Sequence, residues 1–157
     1  MDYNLYLYIE KNALKSPSSI AISSKNNEIS YHSFLQNIDQ FVDYLFYTLH
    51  LRKGDRIAIL VYNRIEFISL FYACAKLGII LVPINWRLTS SEITHIIKDV
   101  GTKYLFSDKD FIKTLKIIKN KIHKFKIIDL DEIKFNTAIK YKRKCIKNYT
   151  LPLLIVY

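Results

Sequence analysis

The sequence predicts an α/β fold built on a mainly parallel, helix-flanked sheet. Three short apolar runs, at 57–62, 79–84 and 103–106, alternate with two segments whose apolar residues recur at helical spacing. Runs rich in Ile, Val, Leu, Tyr and Phe are typical of strands that are buried on both faces. Strands and helices in this alternating order predict right-handed crossovers between parallel strands.

Both helical segments carry signals for their ends. Asn63 is a good N-cap residue, and Glu66 follows it at the three-residue spacing of a capping box. Gly78 follows the same segment, at the position where a left-handed C-cap favours glycine. The second segment predicts the same arrangement with Thr89, Glu92 and Gly101.

Further elements are predicted on either side of this central unit. Residues 3–15 predict a helix with Leu5, Tyr8, Ile9 and Ala13 or Leu14 on its apolar stripe, followed by short strands at 19–23 and 28–31. Ser30 is expected to cap a helix that ends near Leu49. Its apolar face runs from Phe34 to Leu49, and Asp39 and Asp43 are assigned to the opposite, solvated face.

The region after residue 106 predicts one more helix and two more strands. Ser107 or Asp108 is expected to cap the helix, and 125–130 and 151–157 predict strands, with 131–150 irregular. The inward positions of the helix are Phe111, Leu115, Ile118 and Ile122.

Length and composition indicate one cytoplasmic domain. A chain of 157 residues fits a single domain, and no run reaches the roughly 18 apolar residues of a membrane span. The first residues lack the basic start and cleavage site of a signal peptide. Cys74 and Cys145 are too few for a disulfide framework, and Cys74 is expected in the core.

The positive charge is concentrated in the last third of the chain. Of the net charge of +10, residues 103–157 contribute fourteen basic and five acidic groups. Two interpretations stay open: solvated lysine-rich faces, or a nucleic-acid-binding or anion-binding surface formed by residues 109–147. The first is favoured, because the aromatic residues there do not form a stacking platform.

Several segments together resemble the adenylate-forming superfamily of acyl-CoA synthetases, luciferases and peptide-synthetase adenylation domains. Residues 29–34 (ISYHSF) are similar to its early L-T-Y-x-E-L motif, and 53–58 (KGDRIA) to its G-D-R-V-A strand. Residues 75–85 are similar to its A-x-x-x-G-x-x-x-V-P-x-N segment. The continuation WRLT at 86–89 resembles the fatty-acyl and aryl CoA ligase branch most.

The resemblance implies that residues 1–157 are a partial N-terminal domain of an acyl-CoA ligase. In the family, a strand like 153–157 leads into a Gly-rich and Ser/Thr-rich loop that wraps the ATP phosphates, as backbone N–H groups can. The sequence contains no such loop, so we expect this fragment alone to bind no cofactor and to be inactive. The intact enzyme is expected to use ATP, Mg and CoA with a carboxylic acid substrate, and the missing part could be a separate chain.

Arg87 is the one residue to which the resemblance gives a role, a contact with a CoA phosphate. The alternative is a surface arginine that orients the loop before the helix at Thr89. No catalytic residue and no metal ligand is predicted, because the histidines lack ligand spacing to cysteines or acids; they are His32, His50, His95 and His123. The alternative functions are an assembly module that complements a separately encoded remainder, and a basic nucleic-acid-binding domain.

Overall fold

The computed structural model describes residues 4–24, 27–122, 124–135 and 153–157. Five α-helices and six strands make up the described fold, with a π-helical turn at Tyr44–Thr48 and 3-10 turns at Lys109–Phe111 and Leu130–Glu132. In chain order they are α1 Leu5–Lys15, β1 Ile20–Ser24, β2 Asn27–Ser30, α2 Tyr31–Asp43, β3 Arg56–Leu60, α3 Ile65–Leu77, β4 Ile80–Pro83, α4 Ser90–Val100, β5 Tyr104–Ser107, α5 Ile112–Lys121 and β6 Lys126–Asp129.

Strands β3 to β6 form one parallel sheet in the order β4-β3-β5-β6, which confirms the predicted fold class. The register places Ala58 of β3 beside Val82 on one side and Leu105 on the other. The chain therefore moves from β3 to β4 in one direction, and then crosses back over β3 to reach β5. Strands β1 and β2, which lie close to the two predicted short strands, pair separately as an antiparallel hairpin.

The sheet is covered on both faces, which is why its strands read as continuous apolar runs. One core packs α1, α2 and α3 against Ile57, Ile59 and Phe106. The other packs α4 and α5 against Ala58, Leu60 and the neighbouring strands. None of the helices in the described ranges has the length and apolar character needed to cross a bilayer.

Residues 153–157 extend the sheet beyond β4 by a short parallel bridge. The amide of Leu81 donates to the Leu153 carbonyl at 2.9 Å, and the amide of Ile155 donates to the Leu81 carbonyl at 3.1 Å. The predicted buried strand is wrong for this part, because Leu154, Val156 and Tyr157 are exposed. A segment at the sheet edge has a strand on one side only. Residues 151 and 152 of that prediction lie outside the described residues.

The predicted helix ends are correct for α4 but wrong for the start of α3. Thr89 accepts from the Glu92 amide, and Glu92 accepts from the Thr89 amide at 2.7 Å, so the capping box is present. Helix α3 instead begins after Arg64, whose side chain makes no cap, and Glu66 binds the Arg64 guanidinium. Asn63 is thus not the cap residue. Gly78 and Gly101 both adopt the left-handed conformation, with φ of 68° and 69°.

Helix α1 buries only part of the predicted stripe. Its buried residues are Tyr6, Ile9 and Ala13, whereas Leu5 and Tyr8 are exposed. Two overlapping apolar stripes exist on this helix, about 100° apart. Packing against α2 and α3 selects the stripe that contains Tyr6.

A partly buried polar cluster joins α1, α2 and α3. Asp39 lies on the exposed side of α2, as predicted, with its side chain 46% exposed, but it also pairs with the buried Lys76. The Lys76 ammonium lies 2.8 Å from Asp39 Oδ1, donates to the Tyr6 hydroxyl at 2.8 Å, and lies 4.1 Å from the Tyr6 ring centroid. Burial, and then the charge of Asp39, raises the pKa of the Tyr6 phenol. The ion pair was not predicted, because Lys76 lies 37 residues away from Asp39 in the chain.

Candidate functional site at the carboxyl edge of the sheet

In this fold, a binding site is expected at the carboxyl ends of the parallel strands. Open α/β sheets bind ligands outside these ends, at the point where consecutive connections run in opposite directions. Here that point lies between β3 and β5, because β4 lies on one side of β3 and β5 on the other. The segments that follow the strands at this edge are 61–64, 84–89, 108–111 and 130–132.

A ladder of aromatic rings with an arginine lies across this edge. The Trp86 ring is 5.1 Å from the Tyr62 ring, which is 4.9 Å from the Phe111 ring. The Arg87 guanidinium stacks on the Trp86 ring, 4.1 Å from its centroid. Tyr62 and Trp86 are both half-exposed, so a cation and two aromatic surfaces are accessible together. A stacked guanidinium keeps its edge free for bidentate binding of a phosphate or carboxylate.

The loop between β4 and α4 positions Arg87. The Asn85 side chain accepts from the Arg87 amide at 3.0 Å, and the Leu88 amide donates to the Asn85 carbonyl at 3.1 Å. Thr89 then caps α4. Arg87 is thus exposed in a tight turn at the carboxyl edge of the sheet, a placement that suits both interpretations of this residue.

Arg64 joins three strand ends and fills the crevice between β3 and β5. Its guanidinium lies 2.8 Å from Glu66, 3.1 Å from Asp108 and 2.8 Å from Asp131. Hydrogen bonds with Arg64 lower the pKa of the Glu66 carboxyl and also the pKa of the Asp131 carboxyl. The Ser107 hydroxyl donates to the Leu60 carbonyl at 2.6 Å in the same crevice. An ion network therefore lies at the edge where open sheets of this type bind ligands.

Sequence reasoning missed Arg64 and its partners. Asp108 and Asp131 are 44 and 67 residues away from it, so no local motif joins them. A signal was present, however: charged residues follow the ends of β3, β5 and β6. Parallel strands end at one edge, and these side chains could have been expected to meet there.

A groove of about 230 Å³ lies between α5 and the ends of β5 and β6. Its lining is mainly apolar. It also includes three lysines and two carboxylates, and each carboxylate already binds another group of the protein. Asp108 binds Arg64, and Asp129 accepts from the Asp131 amide at 2.9 Å. The groove can therefore accept an anionic group. Its lining includes Lys109, Ile112, Leu115, Lys116, Lys119 and Ile127.

The three described histidines lie on separate segments of the fold. His32 contacts Gln36 at 3.1 Å, His50 is exposed with a φ of 54°, and His95 lies on the exposed face of α4. His123 lies outside the described residues. Among the residues that are described, no group of three or more His, Cys, Asp or Glu could hold a metal ion.

A family model and several known ligases are similar to this chain. The family model described as "AMP-binding enzyme" matches residues 9–150. A fatty acid–[acyl-carrier-protein] ligase, ScoC of Streptomyces coeruleorubidus, is 31% identical over 63% of this chain and 19% of its own length. A crotonobetaine/carnitine–CoA ligase of Escherichia coli is 38% identical over 67% of this chain and 20% of its own length.

Solved structures of the same kind have a similar fold. The N-terminal domain of FACL13 from Mycobacterium tuberculosis superposes with a TM-score of 0.76 at 30% identity, covering 82% of this chain and 34% of that one. Coronafacic acid ligase from Pectobacterium brasiliense gives a TM-score of 0.82 at 25% identity, covering 99% of this chain and 33% of that one. The chain thus spans about a fifth of the length of these curated relatives and a third of these structures.

Proposed function

The chain belongs to the family of AMP-binding enzymes, and we propose that it forms the first part of an acid ligase that uses ATP and CoA. A carboxylate would displace pyrophosphate from ATP to form an acyl-adenylate, and the thiol of CoA would then displace AMP. The family match over residues 9–150 carries this proposal. The relatives named above support it, since one is a ligase of a fatty acid with an acyl-carrier protein and the other a ligase of crotonobetaine or carnitine with CoA.

We propose that residues 1–157 constitute part of an adenylate-forming domain and are inactive by themselves. All three glycines, Gly54, Gly78 and Gly101, lie at turns between helices and strands. None of them belongs to a glycine-rich loop of the kind that surrounds the phosphates of ATP. The proposal assigns no magnesium ligand to the described residues. The cytoplasmic location stays a prediction.

The test is acid-dependent exchange of pyrophosphate into ATP. It is measured with aliphatic and aryl acids, for the 157-residue polypeptide alone and together with the polypeptide encoded directly downstream of codon 157. We expect background exchange by the first and acid-dependent exchange by the second. Exchange by the polypeptide alone would contradict its inactivity. Absence of exchange with every acid, although the two polypeptides co-purify, would contradict the ligase.

Arg87 is proposed to contact a phosphate of CoA in the combined enzyme. A lost charge-assisted contact costs about 1.5–3 kcal/mol, so Arg87→Ala should raise the KM for CoA by roughly ten- to a hundredfold. Pyrophosphate exchange should not change, because CoA takes no part in that half-reaction. Arg52 offers a matched control, since its guanidinium also stacks on a ring, 4.0 Å from Phe46, away from this edge. An unchanged KM in Arg87→Ala would leave only the role of a loop-orienting surface arginine.

The assembly role rests on the edge formed by residues 153–157. This segment is hydrogen-bonded to β4 on one side, and its exposed Leu154 and Val156 offer apolar contacts to a partner. We propose the remainder of the ligase fold as that partner, by addition of a strand. Leu154→Glu with Val156→Glu should abolish co-purification with the downstream polypeptide. The same substitutions at the exposed Leu14 and Ile20 should not.

A further inference from the structure

The outer face of α5 carries lysines and no acidic residue. Leu115 and Ile118 pack inward, and the lysines of the helix, at positions 113, 116, 119 and 121, are exposed. Ile117 is 46% exposed and lies four residues from Lys113 and four from Lys121. Residues at this spacing are neighbours on a helix surface. They form one row in which an aliphatic side chain stands between two ammonium groups.

The basic surface continues past the end of the helix. Lys124 and Lys126 are exposed, and the Lys126 amide donates to the Lys103 carbonyl at 2.8 Å, which brings Lys103 beside them. The ion pairs between described residues involve Arg64 and Lys76 and none of these lysines. Residues 112–126 contain no Asp or Glu. We define the α5 patch as Lys103, Lys113, Ile117, Lys121, Lys124 and Lys126.

We propose that the α5 patch docks this protein on an anionic phospholipid surface. Several lysines on one face complement a negatively charged leaflet, and each adds about 1 kcal/mol of attraction near such a surface. The exposed Ile117 side chain can enter the interface between headgroups and acyl chains. It would gain nothing on the phosphate backbone of a nucleic acid. Nucleic-acid binding is further disfavoured because the only Phe, Tyr or Trp in 112–126 is Phe125, which is buried and cannot stack on bases.

The experiment measures partitioning of the 157-residue chain onto vesicles by co-sedimentation. The vesicles are phosphatidylcholine with one quarter phosphatidylglycerol, and pure phosphatidylcholine vesicles are the reference. The variant Lys113→Gln/Lys121→Gln should partition roughly thirtyfold more weakly, at about fivefold per lysine from the constant of about 1 kcal/mol each. Helix α1 offers a matched pair: Lys11→Gln/Lys15→Gln removes the same charge from another surface and should change partitioning less than threefold.

The aliphatic contribution is tested separately. Ile117→Ser should weaken partitioning severalfold and leave its salt dependence unchanged, because no charge is removed. Leu14 on α1, which is 81% exposed, provides the control Leu14→Ser, for which we expect no change. All these side chains face solvent, and far-UV circular dichroism confirms that each variant is folded. Raising NaCl from 50 to 300 mM should release the unsubstituted chain from the anionic vesicles, since exposed charges are screened.

Three results would overturn the proposal. The first is equal partitioning onto anionic and neutral vesicles, or onto neither. The second is the same loss in the α1 and α5 charge pairs, since net charge rather than the patch would then be responsible. The third is tighter binding to a fluorescent DNA or RNA oligonucleotide than to the vesicles, with the loss confined to the α5 pair, which would assign the patch to nucleic acid.

Discussion

Substitution of Asp39 by alanine removes the carboxylate that pairs with the Lys76 ammonium. The Lys76 side chain is only 9% exposed, and it would keep the Tyr6 hydroxyl while losing the Asp39 charge. Removing one partner of a fully buried ion pair costs about 3–5 kcal/mol. The Asp39 side chain is 46% exposed, so solvent already screens part of the attraction. We therefore expect Asp39→Ala to lower the free energy of unfolding by about 2 kcal/mol.

Substitution of the other partner of the pair, Lys76, should have a smaller effect on stability. Lys76→Met replaces the buried ammonium by an apolar side chain of similar length, and the half-exposed Asp39 can be solvated. Buried ion pairs replaced by apolar residues are often neutral in stability, so we expect a change below about 1 kcal/mol. Asp39→Asn should fall between the two, because its amide oxygen still accepts a hydrogen bond.

Urea denaturation at pH 7, followed by far-UV circular dichroism, measures these differences. Gln36→Ala is the control, since Gln36 is exposed on the same helix α2. Equal costs for Asp39→Ala and Lys76→Met would refute the reasoning. A cost for Asp39→Ala no larger than that of Gln36→Ala would do so as well.

Three other predictions concern local features. Arg64→Met should lower the free energy of unfolding by about 1–2 kcal/mol. Arg64 lowers the pKa of Glu66 below its ordinary value of 4.5. The difference in stability between Arg64→Met and the unsubstituted chain should therefore shrink as the pH falls below 4.5, because protonation of Glu66 removes the charge that Arg64 binds. A pH-independent loss in urea titrations would contradict this. Thr89→Ala should cost about 1 kcal/mol by thermal unfolding, unlike Ser91→Ala. Burial raises the pKa of the Cys74 thiol, so iodoacetamide at pH 8 should not label its peptide before urea unfolds the chain; rapid native labelling would argue against this.

Several features whose signals lie within one turn of chain were predicted correctly. The capping box of α4 joins Thr89 and Glu92, three residues apart, and the left-handed ends need only Gly78 or Gly101. The apolar runs of β3, β4 and β5 likewise report burial on both faces without knowledge of their neighbours. The ordered motifs from residue 29 to residue 89 also sufficed to predict the family that the comparison identified.

Predictions failed or were missing where the deciding contact is distant in the chain. Asn63 and Glu66 have the spacing of a capping box, but Asp108 and Asp131 meet Arg64 beyond the strand ends, and Glu66 joins that network instead. Tyr6 rather than Tyr8 is buried because Lys76 and Asp39 lie beside it.

The sequence by itself determined the α/β class, the helix ends set by local caps, the family, and the excess of lysine after residue 102. Only the tertiary structure decided the order of the strands, which stripe of α1 is buried, and that ion pairs fill the crevice between β3 and β5. The physical reason is the range of the forces that act. Caps and periodic burial operate between residues a few positions apart, whereas ion pairs and stacked rings depend on side chains that only folding brings together.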